Sequence, residues 1–289
     1  MRLTRRPSRW WLSLLLAGIL TTAACGSSGP RQDQGPESPT TYEAQAFVLD
    51  DPGRDPVMCL GSIADSLPPQ CDGISLVGWD WDSVEGEETA GGSTWGSFHL
   101  VGTYDGTTFT VLEAGPPKPP DASGGDPVDA ACAEPDGGWT SPDLSKAGAA
   151  DVRDLMRAME DEPDFAGLWI DYVAEPVGEG TVEPGGIIAN VVFTGDLERH
   201  TAQIRERWGG PLCVVQHERT YAELRRIQRE LGDGAASELG LEMTWSSVDI
   251  QGNVVELGVV VADEAARAAV DARYGVGSVE LQPHLEPVS

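Results

Sequence analysis

Three features of the amino-acid sequence predict an α+β protein built from two folded regions. From Tyr42 to Ala114 the chain consists of short β-type runs punctuated by turn residues. A stretch dense in Pro, Gly, Asp and Ala follows. From Asp151 onward, strands alternate with amphipathic helices. The predicted division is 1–24 leader, 25–41 tether, 42–114 small all-β region, 115–140 linker and 141–289 α/β region.

The all-β region rests on five runs. Ala46-Phe47-Val48-Leu49, Val57-Met58-Cys59-Leu60 and Ile74-Ser75-Leu76-Val77-Gly78-Trp79 are apolar and bounded by Asp, Pro and Gly. Ser97 to Tyr104 and Thr107 to Leu112 read as a hairpin across Asp105-Gly106, a turn pair that tolerates positive φ. Five short strands without a helix predict a small barrel or sandwich. The phrase Gly102-Thr103-Tyr104-Asp105-Gly106 resembles OB-type barrels.

In the second region, Val152, Leu155, Met156 and Met159 fall on one helical face. Ile187 to Phe193 predicts a buried strand. A helix from Leu197 to Trp208 follows, stopped by Gly209-Gly210-Pro211. Leu212 to Gln216 predicts a strand and Tyr221 to Leu231 a helix. Met243 to Asp249 and Asn253 to Ala262 form a hairpin across Gln251-Gly252. Asp263 caps a helix ending at Tyr274-Gly275, and Val279 to Gln282 is a last strand. Asn190-Val191-Val192-Phe193 leads through a helix to Arg207-Trp208-Gly209, and Asn253-Val254-Val255 leads likewise to Arg273-Tyr274-Gly275. The shared order predicts two half-units of a split β-α-β type, with helices on a mixed sheet and a possible internal duplication.

The N-terminal end carries its own pattern. Arg2, Arg5, Arg6 and Arg9 precede the apolar stretch Trp10 to Leu20 and the small residues Thr21 to Ala24. This is the order of an export signal, too short to span a bilayer. Thr22-Ala23-Ala24-Cys25-Gly26 resembles a bacterial lipobox, which implies cleavage before Cys25 and lipid on its sulfur. Thr22 stands where leucine is usual. Arg5-Arg6 leaves both the general and the twin-arginine export routes open. Residues 26–41 are Gly, Ser, Pro, Gln and Asp with few apolar side chains, the composition of a flexible tether.

Of the 289 residues, 19 are basic and 47 acidic, a formal charge of −28, and the leader holds four of the basic residues and none of the acidic ones. Lys118 and Lys146 are the only lysines. Phosphate binding needs clustered cations, so a nucleic-acid partner is excluded from the expectation, as is direct adhesion to anionic lipid. Apart from Cys25 there are four cysteines, an even count that favours two bridges in an exported protein. Cys59 and Cys71 are close and flank a turn-rich segment, which leaves Cys132 with Cys213.

No metalloprotease, nucleophile-elbow, phosphate-loop or dinucleotide motif occurs, and His99, His200, His217 and His284 lack ligand spacing. His200 reads as a packed or surface histidine. The most functional-looking cluster is Trp79-Asp80-Trp81-Asp82 with nearby glutamates, where Asp80, Asp82 and Glu85 are candidate cation ligands. Trp79 and Trp81 would share one strand face, as core or as cover for the nearby bridge.

Cys59-Leu60-Gly61, Pro68-Pro69-Gln70-Cys71-Asp72-Gly73, Gly78-Trp79-Asp80-Trp81 and the ending Asp271 to Gly277 resemble a pattern of uncharacterised exported lipoproteins of high-GC Gram-positive (actinobacterial) bacteria. The resemblance implies export and disulfides and carries no assigned activity. The expectation is a non-enzymatic binding or accessory lipoprotein, held at the outer face of the cell membrane through Cys25, with no cofactor. Its ligand would be an envelope protein or cell-wall component in a groove between the two regions. The alternative is an envelope hydrolase using paired Asp and Glu carboxylates.

Overall fold

The computed structural model describes residues 39–119, 131–173 and 182–288. The fold is α+β, dominated by a nine-stranded mixed sheet, with a separate three-stranded sheet. The first strands are β1 (Thr41–Asp50), β2 (Val57–Cys59), β3 (Gly73–Val77), β4 (Glu88–Ala90), β5 (Ser93–Tyr104) and β6 (Thr108–Gly115). β1 pairs antiparallel with β5 along its whole length and with β2 near its end. β2 pairs with β3, β3 runs parallel to β6, and β6 pairs with β5. The pairings therefore return to β1. Alternation explains the inside: Ala44, Ala46 and Val48 of β1 point inward with Phe98, Leu100 and Phe109, and all are buried.

The remaining elements are α1 (Ala149–Met159), β7 (Phe165–Tyr172), β8 (Ile187–Phe193), α2 (Leu197–Arg205), β9 (Leu212–Gln216), α3 (Tyr221–Glu230), β10 (Met243–Asp249), β11 (Val254–Val261), α4 (Glu264–Tyr274) and β12 (Val279–Pro287). They fall into two runs with one plan. In the first, helix α1 leads to the antiparallel pair β7–β8, then α2, then β9 parallel to β8. In the second, α3 leads to the antiparallel pair β10–β11, then α4, then β12 parallel to β11. The recurrence of Arg-aromatic-Gly before the last strand matches this plan. Trp208 of that signature is fully buried and donates its indole N–H to the Pro211 carbonyl at 2.7 Å. Asp263 caps α4 by accepting from the Ala266 N–H at 2.7 Å, a bond worth about 1 kcal/mol. Gly275, with φ of 95°, takes the chain out of that helix.

Two sequence expectations change at this level. β7 lay hidden because Gly167 interrupts its apolar run; there the backbone passes so close to Ile250 that a Cβ would lie 2.1 Å from its Cγ2. The second change concerns the 115–140 boundary, which does not divide two cores. β12 runs past Gln282 to Pro287 and lies antiparallel to β1, with Tyr42 opposite Pro287 and Glu43 opposite Glu286. Val260 and Leu285 sit in the same buried cluster as Ala44, Val48 and Phe98. Residues 39–289 accordingly form one compact unit. Its other buried clusters lie against α3 and α4, between α1, α2 and the three-stranded sheet, and, as a smaller group of Leu49, Val57, Cys59 and Trp95, across β1, β2 and β5.

Candidate functional site

Where β12 meets β1 and β5, the two predicted regions bound an open groove of about 920 Å³. Between Glu43 and Val48, β1 has β5 on one flank and no strand on the other, because β12 departs before β2 begins. The groove follows this gap, along residues Glu43 to Phe47. Glu43 and His99 are diagonal neighbours on the outward face of the β1–β5 pair, since Gln45 stands opposite His99. The Glu43 carboxylate contacts His99 Nε2 at 2.9 Å and also receives the Lys118 ammonium. The Lys118 hydrogen bond, helped by the one from His99, holds the Glu43 carboxyl below the usual carboxylate range.

Pro117-Lys118-Pro119 forms the far wall. The Gln45 side-chain amide grips its backbone at two points: Nε2 donates to the Lys118 carbonyl at 3.2 Å and Oε1 accepts from the Lys118 N–H at 3.3 Å. An amide that pairs with both main-chain groups of one residue imitates a strand neighbour. His284 closes one end, within 3.0 Å of the Thr244 hydroxyl, and burial pushes its imidazole pKa down.

A second cluster lies on the three-stranded sheet. His200, on α2, is fully buried and stacked on Phe193 with ring centroids 3.7 Å apart and planes 6° from parallel. Its Nε2 is 2.6 Å from Asp164 Oδ2 and 2.7 Å from Arg199 Nη2. Arg199 also reaches Glu162 at 3.4 Å and Asp196 at 2.7 Å. Burial raises the Asp164 pKa, but the hydrogen bond with His200 and the charge of Arg199 outweigh it and leave the carboxyl low. Gln203, then Arg199, does the same for Glu162. Among the described residues, Glu162, Asp164 and His200 are the one set of three such groups whose ligand atoms all lie within 4.8 Å of one another.

The residues singled out in the sequence fare differently. Cys59–Cys71 and Cys132–Cys213 form the two expected disulfides, with Cα separations of 5.7 and 5.8 Å. Cys25 lies outside the described residues. Asp80, Asp82 and Glu85 do not assemble into a cation site. Asp80 instead caps the single turn Trp81–Ser83 by accepting from the Asp82 N–H, and Asp82 and Glu85 face solvent. Trp79 and Trp81 are partly buried against the core, with ring centroids 5.1 and 5.8 Å from that of Phe98. They reach it from a bend after Gly78, whose φ is 80°, and not from a strand. The His200 cluster was not foreseen, because its carboxylates stand 36 and 38 residues before the histidine and only the fold joins them. No helix among the described residues is long and apolar enough to cross a membrane. No family model matches the chain, and no curated protein matches it.

Proposed function

We propose that the chain is an extracytoplasmic, lipid-anchored binding protein whose ligand is an extended chain lying in the β1 groove. The groove carries the reading: a strand stretch without a partner on one flank, faced by acidic residues and already holding a backbone segment through Gln45. Unpaired main-chain groups on a strand can take an extended peptide by strand addition, and the side-chain pockets then select it. Glu43 and Glu286 favour a basic group on that ligand, as Lys118 is held here. The leader, the Thr22-Ala23-Ala24-Cys25 lipobox and the polar tether support anchoring through Cys25 at the outer face of the membrane. The resemblance to actinobacterial exported lipoproteins supports the same location. The five-strand ring of pairings β1–β2–β3–β6–β5, with β3 parallel to β6, supports an OB-type barrel as the platform. The shared plan of the two later runs supports an internal duplication.

One observation favours the hydrolase reading as a runner-up: Glu43 and Glu286 are direct cross-strand partners and both line the groove. The ion pair that keeps Glu43 ionised opposes the general-acid role such chemistry needs. Binding is therefore the better reading. Titration with the peptide acetyl-Pro-Lys-Pro-amide tests it. Lys118→Ala, which frees Glu43, should bind the peptide more tightly than the parent, and adding Glu43→Gln should abolish the gain. Equal, weak binding by all three proteins would remove the groove from the account.

A further inference from the structure

We propose that Glu162, Asp164 and His200 form a site for one divalent first-row cation, and that the Arg199 guanidinium is the resident competitor such an ion displaces. The chemistry of the set comes first. One imidazole nitrogen and two carboxylates are ligands for Zn²⁺ or Mn²⁺, whereas Ca²⁺ takes six to eight oxygens. Their ligand atoms already lie within 4.8 Å of one another. Around a tetrahedral ion with bonds near 2.1 Å, ligand atoms stand about 3.4 Å apart, so sub-ångström shifts of each would supply three of four positions and leave the fourth to water.

The second observation is a proton count that does not close. His200 Nε2 can present either an N–H or a lone pair. Asp164 Oδ2, an acceptor, approaches it at 2.6 Å, while Arg199 Nη2, a donor, approaches it at 2.7 Å. In either tautomer one of the two contacts sets like against like. On the same carboxyl, Asp164 Oδ1 is buried without any partner, and His200 is wholly shielded from solvent. Buried polar atoms left this way are uncommon and costly. A cation between Nε2 and the carboxylates lets the lone pair and both acids face it together.

The fold does not require the cluster. Counting from the helix cap, Asp196 is followed three and four residues later by Arg199 and His200. The equivalent count from Asp263 gives Ala266 and Arg267. The second run of the same plan is thus built without a histidine there. The caps also differ in use. The Asp263 side chain caps its helix, whereas that of Asp196, in the left-handed region at φ 51°, makes no cap bond and holds Arg199 Nε. Arg199 is about half exposed, so its guanidinium has room to swing out on that tether.

Isothermal titration of the purified protein with Zn²⁺ alone reads the proposal, beside Co²⁺ absorbance to report coordination through nitrogen and oxygen. Arg199→Ala removes the competitor and should tighten one-equivalent binding by on the order of tenfold. Glu162→Gln removes a ligand and should weaken it by a similar factor, within the range that single groups contribute at metal sites. Both positions are solvent-accessible, so neither substitution empties the core, and near-UV circular dichroism verifies the fold. Substituting His200 itself would confound binding with folding, which is why it is left alone. Unchanged or weaker binding by Arg199→Ala, or equal binding by all three proteins through the acidic surface, would overturn the site.

Discussion

Replacing Leu285 by Ala tests whether the two halves of the chain share a core. Leu285 is fully buried in β12, yet its neighbours in the cluster are Ala44, Val48, Phe98 and Leu100 from β1 and β5. Truncating a fully buried leucine costs the lost transfer energy plus the cavity, about 2–5 kcal/mol. Against a usual total of about 5–15 kcal/mol, that is a large share. With about 2–4 °C per kcal/mol for a chain of this size, a midpoint shift of roughly 10 °C follows. Urea or thermal unfolding should be followed by two probes at once. Near-UV dichroism, taken as the difference from a Trp79→Phe variant because the chain holds nine tryptophans, reports a ring that packs on Phe98 in the shared cluster. Far-UV dichroism reports α1 to α4. Both midpoints should fall together in Leu285→Ala, while Leu112→Ala, at an exposed position, should move neither by more than about 0.5 kcal/mol. A Trp transition that stays put while the helical one shifts would refute the shared core.

Loop-closure entropy ranks the two disulfides. Removing Cys132–Cys213, which closes 81 residues, should cost about 4 kcal/mol, and removing Cys59–Cys71, which closes 12, about 3 kcal/mol, both read from denaturant midpoints. Burial lowers the pKa of His284 and of His217 from the 6.5 of free imidazole, so the unfolded chain takes up protons first as pH falls. Stability should therefore decline on acidification below about 6.5, and His284→Asn should flatten that slope; an unchanged slope contradicts the assignment. Glu43, with its pKa lowered, contributes stability that is present above 4.5 and lost as pH falls through its folded value, a loss that Glu43→Gln should remove.

The elements most legible in the sequence were those set by local chemistry. Asp263 as cap and Gly275 as stop bounded α4, and Gln251-Gly252 joined β10 to β11. The disulfides followed from cysteine count and spacing. What escaped depended on contacts distant in the chain. The last strand reads as stopping at Gln282, but β12 continues to Pro287 because its end pairs with β1. The Pro-rich stretch from Pro116 suggested a divider between domains. Its first residues instead lie along β1, held by Gln45. Asp80, Asp82 and Glu85 stood out beside Trp79 and Trp81, whereas the grouped carboxylates, Glu162 and Asp164, sit in an equally acidic turn, Glu160 to Asp164, that only the fold brings to His200. Density in sequence says little about convergence in space.

Site-specific photo-crosslinking in intact envelopes shows whether the protein binds through the β1 groove. A diazirine side chain at Ser97, exposed inside the groove, is compared with one at Ser237, exposed after α3 and away from it. Binding in the groove yields a discrete adduct from position 97 that disappears on adding Glu43→Gln, and none from position 237. Adducts of equal yield at both positions, or none at position 97, would contradict it.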